Sequence, residues 1–257
     1  FILKMTITIE GLGAAVMAPV FCREFGFLKG IWYAVFHSVS AFCNAGFDLM
    51  GVRAAFSSLT TYAGQPVINL AIMFLIVFGG IGFLTWEDIT VHGLHFKKYR
   101  MQSKVILSVT GVLILIPAVY FYFCEFSKGA WADFSVPEKV LASMFQSVTP
   151  RPAGFKTVEL PALTEAGQMM MIILMLIGGS PGSTAGGMKP TTAAVLFASA
   201  IAVFRQKEEA HFFGRRVPED TIKNAATILL MYLVLFLTGG IVISSIEGLP
   251  ILTCLFE

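Results

Sequence analysis

The sequence predicts an all-α membrane protein built from repeated helix–loop–helix units. Hydrophobic residues make up 56% of the 257 positions and charged residues only 13%, whereas charged residues are about 25% of an ordinary soluble domain. Four apolar stretches, at residues 2–20, 67–85, 105–124 and 222–246, approach the roughly 20 residues that an α-helix needs to cross a bilayer. A fifth stretch, at 166–204, is long enough but interrupted. Composition therefore excludes a soluble globular domain.

Two related segments organise the chain. The segment at 36–47 is Phe-His-Ser-Val-Ser-Ala-Phe-Cys-Asn-Ala-Gly-Phe, and the segment at 145–155 is Phe-Gln-Ser-Val-Thr-Pro-Arg-Pro-Ala-Gly-Phe. Their separation is far longer than a solenoid repeat of roughly 20 to 50 residues, so each copy belongs to a unit of several elements. A third copy begins at Leu255 and Phe256 and is cut short at Glu257. Since Phe1 also lies inside an apolar stretch, we expect the chain to be part of a longer polypeptide.

Basic residues indicate the orientation of the spans. Half of the 18 Lys and Arg residues lie in two linkers that follow inward-going stretches: Lys97, Lys98, Arg100, Lys104, Arg205, Lys207, Arg215, Arg216 and Lys223. Lys and Arg concentrate in loops on the cytoplasmic side of a membrane. Both linkers are therefore predicted to be cytoplasmic.

Each unit is predicted to contain a span, a short re-entrant helix, a return through glycine and a second span. In the first unit we expect the first helix to stop near Pro19, and the apolar run at 31–42 is too short to cross a membrane. Pro66 is placed to begin the returning helix. In the second unit Pro137 and Glu138 mark the start of the short helix, because proline and acidic residues favour the first turn.

The two units differ where their returning helices continue inward. The first unit has Gly-Gly-Ile-Gly at 79–82 and is expected to continue as a helix. The second unit has a segment at 178–190, rich in glycine and proline, that cannot remain a continuous helix. Met188 stands where a phosphate-binding P-loop needs glycine followed by lysine, so nucleotide binding is not predicted there. A kink that only lets helices pack closely is the alternative to a functional role.

The short helices and glycine-bearing returns suit a cation. A helix that ends inside the membrane directs the partial negative charge of its C-terminus at an ion there, and loop carbonyl groups can replace the hydration shell of that ion. Glycine permits the unusual backbone conformation that such a loop needs. We therefore expect Gly46 and Gly154 to be the centres of two cation-coordinating loops.

With these motifs the chain resembles the ion-translocating membrane subunit of the Trk/Ktr/HKT family of potassium transporters. The resemblance rests on the segments at 36–47, 149–155 and 178–190 and covers essentially the whole chain. It implies a potassium-channel-like pore of four helix–pore loop–helix repeats, each with one glycine-bearing filter segment. The chain would then contain the second repeat at 1–101, with its first helix truncated, the third at 102–216, and the start of the fourth at 217–257.

The resemblance also implies the site residues. The filter carbonyl groups would come from Cys43, Asn44, Ala45, Gly46, Phe47, Arg151, Pro152, Ala153, Gly154 and Phe155, with potassium bound at Asn44, Ala45, Gly46, Pro152, Ala153 and Gly154. The gate would consist of Gly178, Gly179, Ser180, Gly182, Ser183, Thr184, Gly186, Gly187 and Lys189. The family usually has threonine at the position of Pro152, which keeps its carbonyl group but stiffens the loop. Arg151 is expected to brace its loop or to meet a carboxylate such as Glu159, because an ionisable residue at membrane depth is a functional hypothesis.

Potassium uptake across the cell membrane is the function that the resemblance implies, with sodium considered as a coupling ion in a symport. The implied partners are membrane lipid, a second copy in a homodimer and a cytosolic ring of nucleotide-binding RCK-type subunits, with no nucleic acid. A sodium-permeable or sodium-coupled relative is the alternative, because the filter residue of the first repeat bears on selectivity and lies outside the chain. An intramembrane enzyme is disfavoured, since no Ser/His or paired Asp constellation lies at one depth and Gln146 replaces His37 in the second copy.

Overall fold

The computed structural model describes residues 1–128, 131–151, 153–207 and 209–256. The longer elements, in chain order, are α1 (Ile2–Phe25), α2 (Phe27–Phe42), α3 (Pro66–Gly80), α4 (Phe83–His92), α5 (Met101–Tyr120), α6 (Val136–Val148), α7 (Glu165–Leu176), α8 (Pro190–Phe204), β1 (His211–Phe212), β2 (Arg215–Arg216), α9 (Glu219–Glu247) and α10 (Ile251–Phe256). Helix α5 continues as a π-helical turn at Phe121–Glu125. Strands β1 and β2 form an antiparallel hairpin in the second basic linker. The predicted all-α architecture is confirmed.

Three helices of the described residues are long and apolar enough to cross a membrane: α1, α5 with its π-helical turn, and α9. Helices α3 and α4 count as a fourth span if they are taken together, although the chain bends by 98° between them. Helices α7 and α8 are apolar but shorter. The re-entrant helices α2 and α6 lie between these spans in the chain, as the repeated pattern predicts.

Helices α1 and α2 form a tight hairpin. The expectation that α1 stops near Pro19 is wrong, because α1 continues through this proline to Phe25; membrane helices tolerate proline where neighbouring groups satisfy the freed carbonyl. Gly26 ends the helix instead, with a φ of +81° that favours glycine. A Cβ atom on Gly30 would lie 2.5 Å from the backbone nitrogen of Cys22, so the absence of a side chain lets α2 return closely along α1.

Two helices of the second unit, α6 and α7, begin next to side chains that bond their first turns. The Glu138 carboxylate accepts hydrogen bonds from the backbone N–H of Ser135 at 2.8 Å and from its hydroxyl at 2.7 Å, which forms a capping box at the start of α6. At the N-terminus of α7, the buried carboxylate of Glu125 accepts hydrogen bonds from the backbone N–H of Thr164 at 3.2 Å and from its hydroxyl. The predicted start of α6 at Pro137 is therefore confirmed to within one residue.

The two units share one hydrophobic core. Phe145, Val148 and Phe155 of the second unit belong to the same buried cluster as Phe21 and Phe42 of the first unit. Because these residues lie in or next to the two re-entrant helices, the shared core brings the ends of α2 and α6 together.

Both units break their returning helix. The expectation that residues 79–82 continue as a helix is wrong, since α3 ends at Gly80 and the chain turns at Gly82, whose φ is +87°. The N–H of Phe83 donates a hydrogen bond to the carbonyl oxygen of Gly182 at 3.0 Å, and a Cβ atom on Gly82 would lie 2.6 Å from the carbonyl oxygen of Pro181. The two breaks therefore pack against each other and differ in length.

Candidate functional site

Both re-entrant helices end in loops closed by an equivalent hydrogen bond. The hydroxyl of Ser40 donates to the carbonyl oxygen of Phe47 at 2.7 Å, and the hydroxyl of Thr149 donates to the carbonyl oxygen of Phe155 at 2.5 Å. Ser40 and Thr149 occupy the same position in the two copies of the motif. We call residues 43–47 the first glycine loop and residues 151–155 the second glycine loop.

The glycine in each loop has a left-handed backbone. The φ angle is +74° at Gly46 and +82° at Gly154, a range in which side-chain-bearing residues are uncommon. The loops also touch each other, because a Cβ atom on Gly46 would collide with the carbonyl oxygen of Ala153. Backbone conformation and lack of space therefore both favour glycine here.

The chain from Ser40 to Phe47 is one residue longer than the equivalent chain from Thr149 to Phe155. Asn44 accommodates this extra residue with a φ of +53°, and asparagine is one of the few residues with a side chain that adopts the left-handed region readily. Its side chain is buried. The equivalent hydrogen bonds of Ser40 and Thr149 are therefore preserved despite the insertion.

The predicted site residues differ in burial. Asn44, Ala153 and Phe155 are buried, whereas Cys43 is exposed and Phe47 is 70% exposed. Both loops thus combine buried residues with exposed ones, and the exposed residues include Ala45 of the first loop and Gly154 of the second.

A cavity of about 280 Å³ lies against both glycine loops. Ala45 of the first loop and Gly154 of the second line it, together with Thr149 and with Met171 and Met175 of α7. One predicted site residue of the first unit, Ala45, and three of the second, Ala153, Gly154 and Phe155, therefore border one common space.

Arg151 braces the second glycine loop. Its side chain is 6% exposed, and Nη2 donates a hydrogen bond to the hydroxyl of Thr110 in α5 at 3.3 Å. The alternative partner, Glu159, lies instead 3.5 Å from the ammonium group of Lys156. Of the two roles expected for Arg151, the contacts match the brace. Pro152 lies outside the described residues.

The support that His37 gives to the first loop was not predicted from the sequence. His37 is fully buried, its Nδ1 lies 2.7 Å from the carbonyl oxygen of Tyr33, and its Nε2 accepts a hydrogen bond from the N–H of Leu49 at 3.3 Å. Nδ1 therefore carries the proton, and His37 joins α2 to the chain beyond Phe47. At the equivalent position Gln146 is also fully buried, yet its amide group has no hydrogen-bond partner among the described residues. The recurrence of a polar residue at this position in both motifs is the sequence signal that could have indicated the supporting role of His37.

The glycine-rich segment predicted to be non-helical at 178–190 is non-helical from residue 177 to residue 189, between α7 and α8. It folds back on itself through hydrogen bonds from the N–H of Gly178 to the carbonyl oxygen of Met188 at 2.9 Å and from the N–H of Gly179 to that of Gly186 at 3.0 Å. A Cβ atom on Gly178 would collide with the carbonyl oxygen of Gly186. We call residues 177–189 the intramembrane loop.

Further hydrogen bonds hold the intramembrane loop in shape. Gly182 and Gly187 have φ angles of +69° and +75°, and the hydroxyl of Ser183 accepts a hydrogen bond from the N–H of Ala185 at 3.3 Å. The ammonium group of Lys189 donates to the carbonyl oxygen of Ala185 at 3.0 Å, so its charge is directed back onto the loop.

The intramembrane loop rests on the first unit. The N–H of Ser180 donates to the carbonyl oxygen of Gly80 at 2.9 Å, and the N–H of Thr184 donates to that of Gly79 at 3.3 Å. The hydroxyl of Thr184 lies 2.8 Å from the carbonyl oxygen of Phe42, the last residue of α2. The loop of one unit therefore contacts the re-entrant helix of the other.

Re-entrant helices, glycine loops and a non-helical intramembrane loop together define a multi-spanning membrane protein of helix–pore loop–helix units, in which irregular backbone is enclosed by protein at membrane depth. The sequence model of the TrkH family, described as cation transport protein, matches residues 1–257. The chain therefore belongs to the TrkH family of cation transport proteins. Its members are multi-pass ion transporters of the cell membrane and not enzymes.

Individual relatives agree with this assignment. The chain is 36% identical to the potassium/sodium uptake protein NtpJ of Enterococcus hirae over 250 residues, which cover 97% of the chain and 54% of the relative. It is 33% identical to the Ktr system potassium uptake protein B of Bacillus subtilis over 253 residues, which cover 98% and 56%. The crystal structure of the potassium transporter TrkH from Vibrio parahaemolyticus matches with a TM-score of 0.70 at 18% identity, over 94% of the chain and 51% of that structure. The chain spans about half the length of these relatives, and the Trk/Ktr resemblance expected from its motifs is confirmed.

Proposed function

We propose that the full-length protein takes up potassium across the cell membrane and that the two glycine loops are segments of its selectivity filter. The observation that carries this proposal is the close approach of Gly46 and Gly154, both with a left-handed backbone, in the loops that follow the two half-buried re-entrant helices. A left-handed glycine directs its carbonyl group where other residues do so only with strain. The helix ends add partial negative charge that favours a cation.

In this proposal the coordinating carbonyl groups belong to Asn44, Ala45 and Gly46 in the first loop and to Pro152, Ala153 and Gly154 in the second. The second repeat would correspond to residues 1–101, the third to 102–216 and the start of the fourth to 217–257. Segments outside these residues would complete the ring around the ion. The names of the Bacillus subtilis and Enterococcus hirae relatives, which specify potassium uptake and potassium/sodium uptake, support potassium as the transported ion.

A sodium-permeable transporter is the second candidate, because one relative is named for potassium and sodium together. The test is uptake of rubidium, as a potassium tracer, and of sodium into liposomes that contain the full-length protein. Saturable rubidium uptake that excess sodium does not inhibit supports the potassium-selective proposal. Equal uptake of both ions would favour the second candidate, and uptake that requires sodium would favour sodium as a coupling ion.

We further propose that the intramembrane loop is the gate. Its glycines permit two backbone arrangements, and its contacts with Gly79, Gly80 and Phe42 place its fold next to the first glycine loop. Deletion of about seven loop residues, which shortens its reach, should raise rubidium uptake, and a loop that acts as a gate alone would leave the ion preference unaltered. A correctly folded deletion variant with unchanged or lower uptake would favour the alternative of a packing kink.

The two basic linkers are proposed as the contact surface for a cytosolic nucleotide-binding RCK-type ring, in a homodimeric transporter. Arg100 is more than half exposed, although it pairs with Glu87 at 3.0 Å, and Arg216 is similarly exposed. Cysteines introduced at Gln102 and Gln206 should react with a membrane-impermeant thiol reagent only from the cytoplasmic side. Labelling from outside would overturn this orientation.

A further inference from the structure

Thr184 of the intramembrane loop lies in a hydrogen-bond cluster with Phe42, Asn44 and Gly79, which we call the Thr184 cluster. Its hydroxyl oxygen lies 2.8 Å from the carbonyl oxygen of Phe42 and 3.2 Å from that of Gly79. The side-chain amide of Asn44 donates a hydrogen bond to the same hydroxyl oxygen at 3.1 Å. All three partners belong to the first unit, so one side chain of the second unit joins α2, α3 and the first glycine loop.

The proton count determines the direction of these bonds. A threonine hydroxyl has one proton to donate and two lone pairs that accept. It accepts from the Asn44 amide and donates its proton to the nearer carbonyl oxygen, that of Phe42. The Gly79 carbonyl oxygen also accepts from the backbone N–H of Thr184 at 3.3 Å. Thr184 therefore supplies one acceptor and two donors to the cluster, whereas the buried Oδ1 atom of Asn44 has no hydrogen-bond partner among the described residues.

The backbone around Thr184 is closely packed, so a side chain at Gly79 could not replace its hydroxyl in the cluster. A Cβ atom on Gly79 would collide with the carbonyl oxygen of Phe42 and would lie 3.0 Å from the Asn44 amide nitrogen. Without Thr184, the Asn44 amide would keep only its longer hydrogen bond to the Phe42 carbonyl, at 3.3 Å. Asn44 holds the left-handed turn that leads into Ala45 and Gly46, so a change of its partner alters the start of the first glycine loop.

We propose that Thr184 is a positioning residue that couples the intramembrane loop to the first glycine loop. Displacement of the intramembrane loop would then change the ion preference of the first glycine loop. This inference rests on the proposed roles of the two loops as gate and filter. A coupling between two sites is reciprocal for binding, so an ion held at the first glycine loop would in turn favour the position of the intramembrane loop that keeps the cluster intact.

The test compares variants of the full-length protein in rubidium and sodium uptake. Thr184→Val keeps the shape of the side chain but removes the hydroxyl, and should lower the rubidium-to-sodium ratio roughly fivefold, the effect of one buried hydrogen bond. Thr184→Ser keeps the hydroxyl and should preserve the ratio. Thr192→Val is the matched control, because the hydroxyl of Thr192, in α8, makes no hydrogen bond to the described residues. If Thr184→Val does not fold, Thr184→Ala removes the same hydroxyl with less bulk.

A double substitution separates coupling from two independent effects. Asn44→Ala should lower the ratio by itself, and the double variant should lower it by less than the product of the two separate effects, because the two substitutions share the hydrogen bond between these side chains. Multiplied effects of the two substitutions, or a Thr184→Val variant that matches Thr184→Ser, would overturn the coupling. The loop deletion tests the proposed gate separately. If the deletion raises rubidium uptake while Thr184→Val leaves the rubidium-to-sodium ratio unchanged, the proposed gate stands and only the coupling is refuted. A deletion without effect on uptake refutes the gate, and with it the coupling.

Discussion

Gly154 lies so close to Gly46 that a Cβ atom built on it would be 3.3 Å from the Cα atom of Gly46. Both residues also have positive φ angles. A side chain at either position would therefore meet backbone strain and a lack of space together. Because the two glycine loops limit each other in this way, a change in one is expected to displace the other.

Serine substitutions at these glycines should weaken ion discrimination. Gly46→Ser and Gly154→Ser each impose strain of about 1–3 kcal/mol and should lower the ratio of rubidium to sodium uptake in liposomes. The effect should be larger for Gly46→Ser, because its Cβ atom would collide with the carbonyl oxygen of Ala153, whereas that of Gly154 makes a 3.3 Å contact. Gly111→Ala is the control, since a Cβ atom there has nothing within 4 Å. An unchanged uptake ratio in both serine variants would contradict the filter assignment.

The hydroxyl of Thr149 is expected to stabilise the second glycine loop. Thr149→Val would leave the buried carbonyl oxygen of Phe155 without this donor, at a cost of about 1–3 kcal/mol, whereas Thr149→Ser retains the hydroxyl. Thermal unfolding of the purified protein in detergent should show a lower Tm for Thr149→Val than for Thr149→Ser. Equal Tm values for the two variants would mean that the hydrogen bond does not hold the loop.

Features fixed by local chemistry could be predicted from the sequence. Pro66 begins α3 and Pro137 lies in the first turn of α6, because the fixed φ of proline and its missing N–H suit a helix start. The repeated Ala-Gly-Phe motif located both glycine loops, because a left-handed backbone strongly favours glycine. The helical interruption at 177–189 followed from its glycine and proline content in the same way.

Features fixed by distant contacts could not be predicted. Gly82 follows an apolar helix that looks continuous in the sequence. Its turn packs closely against Pro181 and is joined to Gly182 of the other unit by the hydrogen bond from the N–H of Phe83. The role of Thr184 likewise depends on Phe42, far away in the sequence. The prediction that α1 ends near Pro19 was wrong for the opposite reason. Proline usually ends a helix, but α1 continues through Pro19 within an apolar span.

The capping box of α6 gives a prediction on stability. Ser135→Ala removes the side chain that caps the first turn and should lower the free energy of unfolding by about 1 kcal/mol, seen as a lower Tm with unchanged ion preference. Ser245→Ala is the control, because its exposed hydroxyl bonds only within α9, to the carbonyl oxygen of Ile241. Equal shifts of Tm in the two variants would argue against a capping role for Ser135.

Gly82 offers a way to displace the intramembrane loop from outside it. A Cβ atom at this position would lie 2.6 Å from the carbonyl oxygen of Pro181, and the φ of +87° adds strain of about 1–3 kcal/mol. Gly82→Ala should therefore push the loop away from α3 and raise rubidium uptake towards that of the loop deletion. Gly80→Ala is a close control, because a Cβ atom on this helical glycine has nothing within 4 Å.

The same substitution can also separate displacement of the loop from general damage to the fold. If Gly82→Ala acts through the intramembrane loop, adding it to the deletion variant should raise rubidium uptake no further, because the group that it displaces is already gone. General damage would instead lower uptake in both backgrounds. A Gly82→Ala variant with the same uptake as Gly80→Ala would show that the contact with Pro181 does not hold the loop in place. The loop would then have to be held by its hydrogen bonds to Gly79, Gly80, Phe42 and Phe83.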